Sequence, residues 1–323
     1  MRSVQFDRFG DPSEVLVVRD IPIPEPRPGQ VRVRMVARPI HPADLMFIHG
    51  NYGVVPKLPS TAGFEGMGVV DAAGPETQLA PGTRVCVIGV GTWQDYLVLP
   101  EHAAVAVSDK VSDEAAAQVF INPVTAYAML EELNLKPGEW LLQTAAASTL
   151  GKMMIALAIK KGLRTINTVR RSEQVSELKS LGADEVIDTE HENLVDRVME
   201  ITGGRGAAGA LDAVGGELGS QAVDCLAKHS TMLVYGILSM KPTEAMNSKL
   251  IFRSLTIKGF WLSEWFPRAS AEAKAAAVGT VMQMLETGEL DPTVEARYPL
   301  EQVREAAHHA RPWGRHGKVL LVS

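Results

Sequence analysis

The sequence predicts an α/β protein in two parts: a β-rich N-terminal part and a doubly wound, parallel, six-stranded sheet. Three observations carry that prediction. Strand-like runs punctuated by Gly and Pro fill residues 1–100. Strand and helix patterns alternate from about residue 139 to 259. Within that stretch, Trp140-Leu141-Leu142 is followed by small residues, Thr144-Ala145-Ala146-Ala147-Ser148-Thr149, and then by a helix-like run, which is a strand–turn–helix order.

The N-terminal elements follow from alternation. Met1-Arg2-Ser3-Val4-Gln5-Phe6 opens on a period-two pattern, and Val31-Arg32-Val33-Arg34-Met35-Val36 alternates cleanly. Further short strands are expected at 66–71 and at Arg84-Val85-Cys86-Val87-Ile88. The proline-rich run from Ile21 to Gly29 reads as a turn between strands of a small barrel. Residues 1–100 are therefore expected to form a compact all-β unit.

The pattern changes after Ser112-Asp113-Glu114, where a helix N-cap precedes acids in the first turn. Strands are expected at 139–144, 164–169, 185–187, 208–213, 231–235 and 255–259. Helices are expected near 150–161, 172–180, 190–201 and 216–227. A long Ala-rich helix over about 270–287 and a last strand, Gly317-Lys318-Val319-Leu320-Leu321-Val322, follow, and that tail is expected to pack back on the first part. There is no internal repeat and no low-complexity tract.

The turn after 140–142 has a chemistry of its own. Small residues leave room for a pyrophosphate to approach the backbone, and a helix starting near Leu150 points its unpaired N–H groups at that phosphate. The next strand ends roughly 20 residues after the turn, where the dinucleotide-binding pattern puts its ribose reader. A carboxylate there would accept from a 2′-hydroxyl. This chain has Arg170-Arg171, which suit a 2′-phosphate, so the expected cofactor is NADPH. The turn lacks most glycines of G-x-G-x-x-G and keeps only Gly151. On these residues alone, a generic β-α-β unit with two solvated arginines stays open.

Composition narrows the function classes. The chain has 323 residues, 46% hydrophobic and 22% charged, long enough for two domains. A net charge of −6 with no basic stripe argues against nucleic acid and for a small-molecule substrate. No run nears the ~18 apolar residues of a membrane span, and the opening residues enter a strand directly, so a cytoplasmic address is expected. Cys86 and Cys225 lie in apolar runs and are expected to be buried and inert. Adjacent His308-His309 point about 100° apart on a helix and cannot easily share an ion. No metal site is expected.

Seven ordered blocks then carry a resemblance. They are Pro39-Ile40-His41-Pro42-Ala43-Asp44 with Ile48-His49-Gly50-Asn51-Tyr52-Gly53, then Gly63-Phe64-Glu65-Gly66, Ile121-Asn122-Pro123-Val124-Thr125-Ala126-Tyr127, Leu163-Arg164-Thr165-Ile166-Asn167, Tyr235-Gly236, and Gly259-Phe260-Trp261-Leu262-Ser263-Glu264-Trp265. Over essentially its whole length the chain resembles the medium-chain dehydrogenases/reductases. More narrowly it resembles their zinc-free branch of mitochondrial-type 2-enoyl-thioester reductases, and it is quinone oxidoreductase-like. The resemblance implies a GroES-like catalytic domain over 1–120, completed by 263–323, and a Rossmann domain over 121–262.

It also implies roles. Tyr52 is the catalytic residue and Asn122 lies at the nicotinamide end of the cofactor. Ala147, Ser148, Thr149 and Leu150 grip the pyrophosphate, and Arg170, Arg171 and Ser172 contact the 2′-phosphate. Tyr235, Gly236, Ile237 and Leu238, with Phe260, Trp261 and Leu262, line the cofactor and the mouth of the acyl pocket. Lys318 matches a lysine near the cofactor, and His41, Tyr52 and Trp261 line the substrate pocket. His41-Pro42-Ala43-Asp44 departs from the family's usual Asn-Pro-Ser-Asp, and Ala147-Ser148-Thr149-Leu150 from an Asn-Ser-Gly-Val turn. Where zinc enzymes of the superfamily carry a His-Glu ligand pair, this chain has Phe64-Glu65. Asp44 and Glu65 are read as hydrogen-bonding anchors of the loop that bears Tyr52.

Without a metal Lewis acid the expected reaction is conjugate reduction: hydride lands on the β-carbon of an activated alkene while charge develops on the carbonyl oxygen. The leading expectation is NADPH-dependent reduction of α,β-unsaturated acyl thioesters. A reductase of quinones or small enones on the same fold is the alternative, and a non-catalytic NADPH-binding sensor is a third. A homodimer paired through Rossmann sheet edges is expected by family analogy.

Overall fold

The computed structural model describes residues 1–312 and 315–323. The chain divides into two compact units, one of residues 1–121 with 278–323 and the other of residues 122–277. The return point lies inside the helix Ala271–Thr287, where the sequence reading put it at 263.

In the first unit the core sheet has seven strands. Its order is Val294–Pro299, Lys318–Val322, Gln30–Pro39, Glu65–Ala73, Arg84–Ile88 and Ala104–Ala106, with Tyr96–Pro100 paired to Gln30–Pro39. The alternation read at 31–36 is real: Val31, Val33 and Met35 are buried in one apolar cluster with Val70, Val85 and Val87. The C-terminal strand pairs antiparallel with Gln30–Pro39, matching Leu320 to Pro39 and Val322 to Ala37, so the tail does complete this unit. A smaller sheet joins Arg2–Phe6 to Val17–Asp20 and Ser60–Thr61.

This unit is not all-β. Residues Pro42–His49 form a helix, and Phe47 and Ile48 bury themselves beside Phe6, Ile40, Trp93 and Leu321. Its signals are local. Pro42 occupies the first turn, Asp44 accepts a hydrogen bond from the His41 N–H at 2.7 Å, and Gly50 ends the helix in the left-handed region at φ 78°. Alternation in the flanking segments masked these eight residues. Ser112 caps a short helix, Asp113–Ala116, as the sequence indicated.

The second unit is the doubly wound sheet. Its strands run Glu185–Asp188, Arg164–Val169, Trp140–Gln143, Ala207–Asp212, Leu226–Val234 and Thr256–Gly259, all parallel. Each central strand is buried on both faces, as crossover helices on both sides require. One boundary differs from expectation. The helix that starts at Gly216 ends at Asp224, and Leu226 already pairs with Ala207, so the fifth strand begins before 231 and carries a register shift.

The strand order reverses between Trp140–Gln143 and Ala207–Asp212. In such sheets ligands bind outside the carboxyl ends of the strands at this switch point.

Candidate active site

Four of the sequence-predicted cofactor segments leave the carboxyl ends of strands in this one sheet. After Gln143 the chain enters the turn 144–148, with Ala145 in the left-handed region at φ 52°, and starts the helix Thr149–Lys160. Ser148 caps that helix by accepting from the Gly151 N–H at 3.1 Å. Leucine or valine could not do this, and the hydroxyl explains why a small polar residue stands there. Ala147, Ser148, Thr149 and Leu150 are all partly exposed. The first amides of a helix have no intrahelical acceptor, so this end favours an anionic group. Gly151 is obligatory for a different reason: a Cβ there would lie 2.4 Å from the Ala146 carbonyl oxygen.

The neighbouring strand, Arg164–Val169, delivers Arg170 and Arg171 exposed at its carboxyl end. Ser172 is tied down, donating its hydroxyl to Asp188 at 2.5 Å. That bond, with His191 at 2.9 Å, holds the Asp188 carboxyl below its ordinary range. On the other side of the switch point, Tyr235 to Leu238 follow the strand Leu226–Val234. Tyr235 N–H donates to the Asp212 carbonyl at 2.9 Å and Leu238 N–H to the Ala213 carbonyl at 3.0 Å. Gly236 passes so close to Ala213 that a Cβ would lie 2.6 Å from its carbonyl oxygen, while Ile237 is exposed. Phe260 N–H donates to the Val234 carbonyl at 2.8 Å, and Trp261 and Leu262 begin the short helix Leu262–Arg268. Trp265 and Phe266 stack edge to face at 5.5 Å.

Several polar groups of this unit are buried with no hydrogen-bond partner among the described residues, and two of them lie in the predicted cofactor segments. These two are the Asn122 side-chain amide, in the π-helical turn Phe120–Val124, and the Tyr235 hydroxyl. Burial and the nearby Asp212 push the Tyr235 phenol up. An orphaned buried donor costs about 1–3 kcal/mol. Both orphans belong to residues that the sequence reading gave to a cofactor, and a polar ligand would relieve them. The segments therefore fit an elongated anionic ligand with polar groups, which is what a dinucleotide is.

In the first unit the predicted residues divide between a loop and an interior cluster. Tyr52 follows Gly50 and Asn51. Its ring packs on Phe64 at 5.3 Å between centroids, at the edge of the apolar cluster of Phe47 and Ile48. Its neighbours Val54 and Val55 are exposed.

His41 and Lys318, read as pocket and cofactor residues, are bonded to one another in the interior, Lys318 Nζ to His41 Nδ1 at 3.0 Å. The other ring nitrogen, Nε2, meets Glu65 Oε1 at 2.6 Å. An ammonium group can only donate, so Nδ1 accepts, and Nε2 carries the hydrogen that Glu65 accepts. Glu65 Oε2 also accepts from the Phe120 and Ile121 amides at 2.8 and 3.0 Å. Glu65 thus anchors the backbone leading to Asn122, where the sequence reading gave it the loop of Tyr52. Asp44 accepts from the His41 amide.

Burial sets the electrostatics of this cluster. It pushes Asp44 up to about 8 and Glu65 up to about 7. It lowers Lys318 to about 8 and, helped by the charges of Lys318 and Arg315, drives His41 well below 6.5. A neutral imidazole bridging a lysine and a glutamate is the protonation state that satisfies all three. Among the described residues, no group of three or more His, Cys, Asp or Glu could hold a metal ion. Cys86 and Cys225 are both buried with thiols pushed up, Cys225 to about 12.

Sequence reasoning missed a polar pair at the foot of the turn 144–148, formed by Gln143 and Asn167. The available signal was polar residues in strands that otherwise read apolar. It also missed Asp212, buried, which accepts from Thr144 Oγ1 at 2.7 Å and from the Val214 and Gly215 amides. No helix among the described residues is long and apolar enough to cross a membrane.

Comparison with known proteins agrees with this architecture. Residues 27–109 match the alcohol dehydrogenase GroES-like domain, and residues 149–278 match the model described as zinc-binding dehydrogenase. The human mitochondrial enoyl-[acyl-carrier-protein] reductase is 34% identical over 95% of this chain and 84% of its own length. The quinone oxidoreductase of Pseudomonas syringae is 30% identical with a TM-score of 0.89, covering 100% of this chain and 99% of its own. That of Escherichia coli, solved in complex with NADPH, is 26% identical with a TM-score of 0.91, and the match covers 100% of both chains. Sheet order, paired domains and these relatives together establish that the chain belongs to the medium-chain dehydrogenase/reductase superfamily.

Proposed function

We propose that this protein is an NADPH-dependent reductase of the C2=C3 double bond of α,β-unsaturated acyl thioesters. The observation that carries the reading is the human enoyl-[acyl-carrier-protein] reductase, 34% identical over 95% of the chain. Tyr52 in an exposed loop on an apolar cluster supports it. The cofactor assignment is supported by the edge that presents the helix start at Thr149, the exposed Arg170 and Arg171, and the orphaned Asn122 and Tyr235 groups.

Bound NADPH would supply a hydride to the β-carbon of the substrate. The electron pair of the double bond moves toward the thioester carbonyl oxygen, and the α-carbon then takes a proton. Tyr52 is the residue for that charge. Its hydroxyl donates to the carbonyl oxygen as negative charge develops, or delivers the α-proton. Asn122 would offer its side-chain N–H to the nicotinamide end, and Ser148, Thr149 and Leu150 hold the pyrophosphate. Arg170 and Arg171 read the 2′-phosphate.

The quinone oxidoreductase structures favour a second reading, quinone or small-enone reduction on the same edge. Loss of NADPH absorbance separates the two. Turnover faster with crotonyl-CoA and a longer trans-2-enoyl-CoA than with a simple quinone supports the thioester reading. Turnover confined to the quinone promotes the second.

The assembly is proposed to be a homodimer. The outer strand Thr256–Gly259 is exposed along its whole length, and beside it in sequence Ile251 and Phe252 are 67% and 78% exposed. An unpaired edge with apolar neighbours is the surface that a second copy covers by strand pairing.

A further inference from the structure

Parallel strands covered on both faces normally carry apolar side chains. Gln143 and Asn167 break that rule at adjacent positions, since the register matches one to the other and both are buried, at 1% and 0% exposure. Burying such amides costs free energy unless they are bonded. Gln143 Nε2 donates to Asn167 Oδ1 at 2.6 Å and to the Gly151 carbonyl, in the first turn of the helix Thr149–Lys160, at 3.0 Å. Asn167 is held in turn, donating to Thr165 Oγ1 at 3.0 Å and to the Glu185 carbonyl at 2.9 Å. Gln143 Oε1 is left buried with no partner among the described residues. A group held at that cost, reaching from the sheet to the helix start, has a positional task.

That task follows from the turn. In place of most glycines it has Ala145, Ala146, Ser148 and Thr149. Clearance for a phosphate then depends on where the first helical turn stands above the sheet. Ala146 N–H donates to the Thr168 carbonyl at 3.1 Å, and Thr144 Oγ1 reaches Asp212, which ties the start of the turn to both flanking strands. Gln143 is the tie to the helix itself. We infer that Gln143, braced by Asn167, is a positioning residue for the dinucleotide pyrophosphate: it sets the height of the helix start whose amides receive that group. The inference rests on the reading that residues 147–150 grip the pyrophosphate of NADPH.

The test uses the full chain and three variants: Gln143→Leu, the double Gln143→Leu/Asn167→Leu, and Thr149→Glu. Affinity is measured for NADPH by nicotinamide fluorescence and for 2′-AMP, which has no pyrophosphate, by calorimetry; thermal melting is followed in parallel. Gln143→Leu is expected to weaken NADPH at least tenfold and to leave 2′-AMP within twofold. The double variant replaces the whole polar pair, so it regains melting temperature and keeps the NADPH loss. A double variant that melts like the parent and binds NADPH like the parent overturns the inference, as does an equal loss for both ligands. Thr149→Glu separates the underlying reading: NADPH binding untouched by a carboxylate at the turn would remove the pyrophosphate from this site altogether. Binding abolished there, but intact in the Gln143 variants, would leave the turn correct and Gln143 without the role.

Discussion

Replacing His41 with Asn tests the electrostatics of the interior cluster. In the folded protein His41 is 1% exposed and bridges Lys318 Nζ and Glu65 Oε1, and burial with the charges of Lys318 and Arg315 holds its pKa well below 6.5. The unfolded chain protonates this ring below about pH 6.5, and the folded one does not. Stability contributed by neutral His41 is therefore present above about pH 6.5 and is lost as pH falls, with a limiting slope of about 1.4 kcal/mol per pH unit. Asp44 and Glu65, whose pKa values are raised, act in the opposite sense, because the folded state holds more protons than the unfolded one above pH 4. They are present in both proteins, and Glu65, which loses the His41 hydrogen in the variant, holds its own proton more tightly there, so its change also favours the variant at low pH. His41→Asn keeps an acceptor for Lys318 in its Oδ1 but is too short to carry the Nε2 hydrogen to Glu65 Oε1, so at pH 7 the variant should be less stable by about 1–3 kcal/mol. At pH 5 that gap should be narrower. Urea denaturation at both pH values, followed by circular dichroism and by tryptophan fluorescence, gives the two gaps. Equal gaps at pH 7 and pH 5 would show that the folded protein protonates His41 as freely as the unfolded chain and would refute the bridging arrangement.

Other consequences concern catalysis, cofactor and assembly. Tyr52→Phe should lower kcat with an enoyl-CoA roughly a hundredfold, the scale of a lost general acid, while the NADPH dissociation constant stays within about twofold; full activity would remove Tyr52 from the chemistry. Changing Arg170 and Arg171 together to Ala should weaken NADPH by roughly thirtyfold, taking about 1 kcal/mol for each exposed contact, and hardly touch NADH. An equal loss for both nucleotides would show that these arginines do not read the 2′-phosphate. In sedimentation, the parent protein should run as a dimer and Ile257→Lys/Phe252→Glu as a monomer; a monomeric parent would contradict pairing through the edge strand.

The doubly wound sheet was legible because its signals are local. Trp140–Gln143 and Arg164–Val169 are short strands each followed by a helix, and the run of small residues at 144–149 marks the turn between the first strand and its helix. The helix Pro42–His49 was not, because eight residues between strands show too little periodicity, although Pro42, Asp44 and Gly50 mark its ends. The interior cluster lay beyond sequence reasoning for a different reason. His41 and Lys318 are 277 positions apart, and their bond exists only because the C-terminal strand pairs beside Gln30–Pro39. Glu65 likewise looked like a loop anchor from its neighbours in sequence, and only the fold brings it to the Phe120 and Ile121 amides. The Gln143 and Asn167 pair was visible as two polar residues. What they bond across the sheet was not, because register is a property of the assembled strands.

The proposed reaction places hydride on the β-carbon of an enoyl thioester. It is tested most directly by incubating the protein with crotonyl-CoA and NADPH deuterated at the transferred position and locating the label in the product by NMR. The expected product is butyryl-CoA with deuterium at C3 and a solvent-derived proton at C2. Unchanged crotonyl-CoA, with the same NADPH consumed when a quinone is supplied, would contradict it.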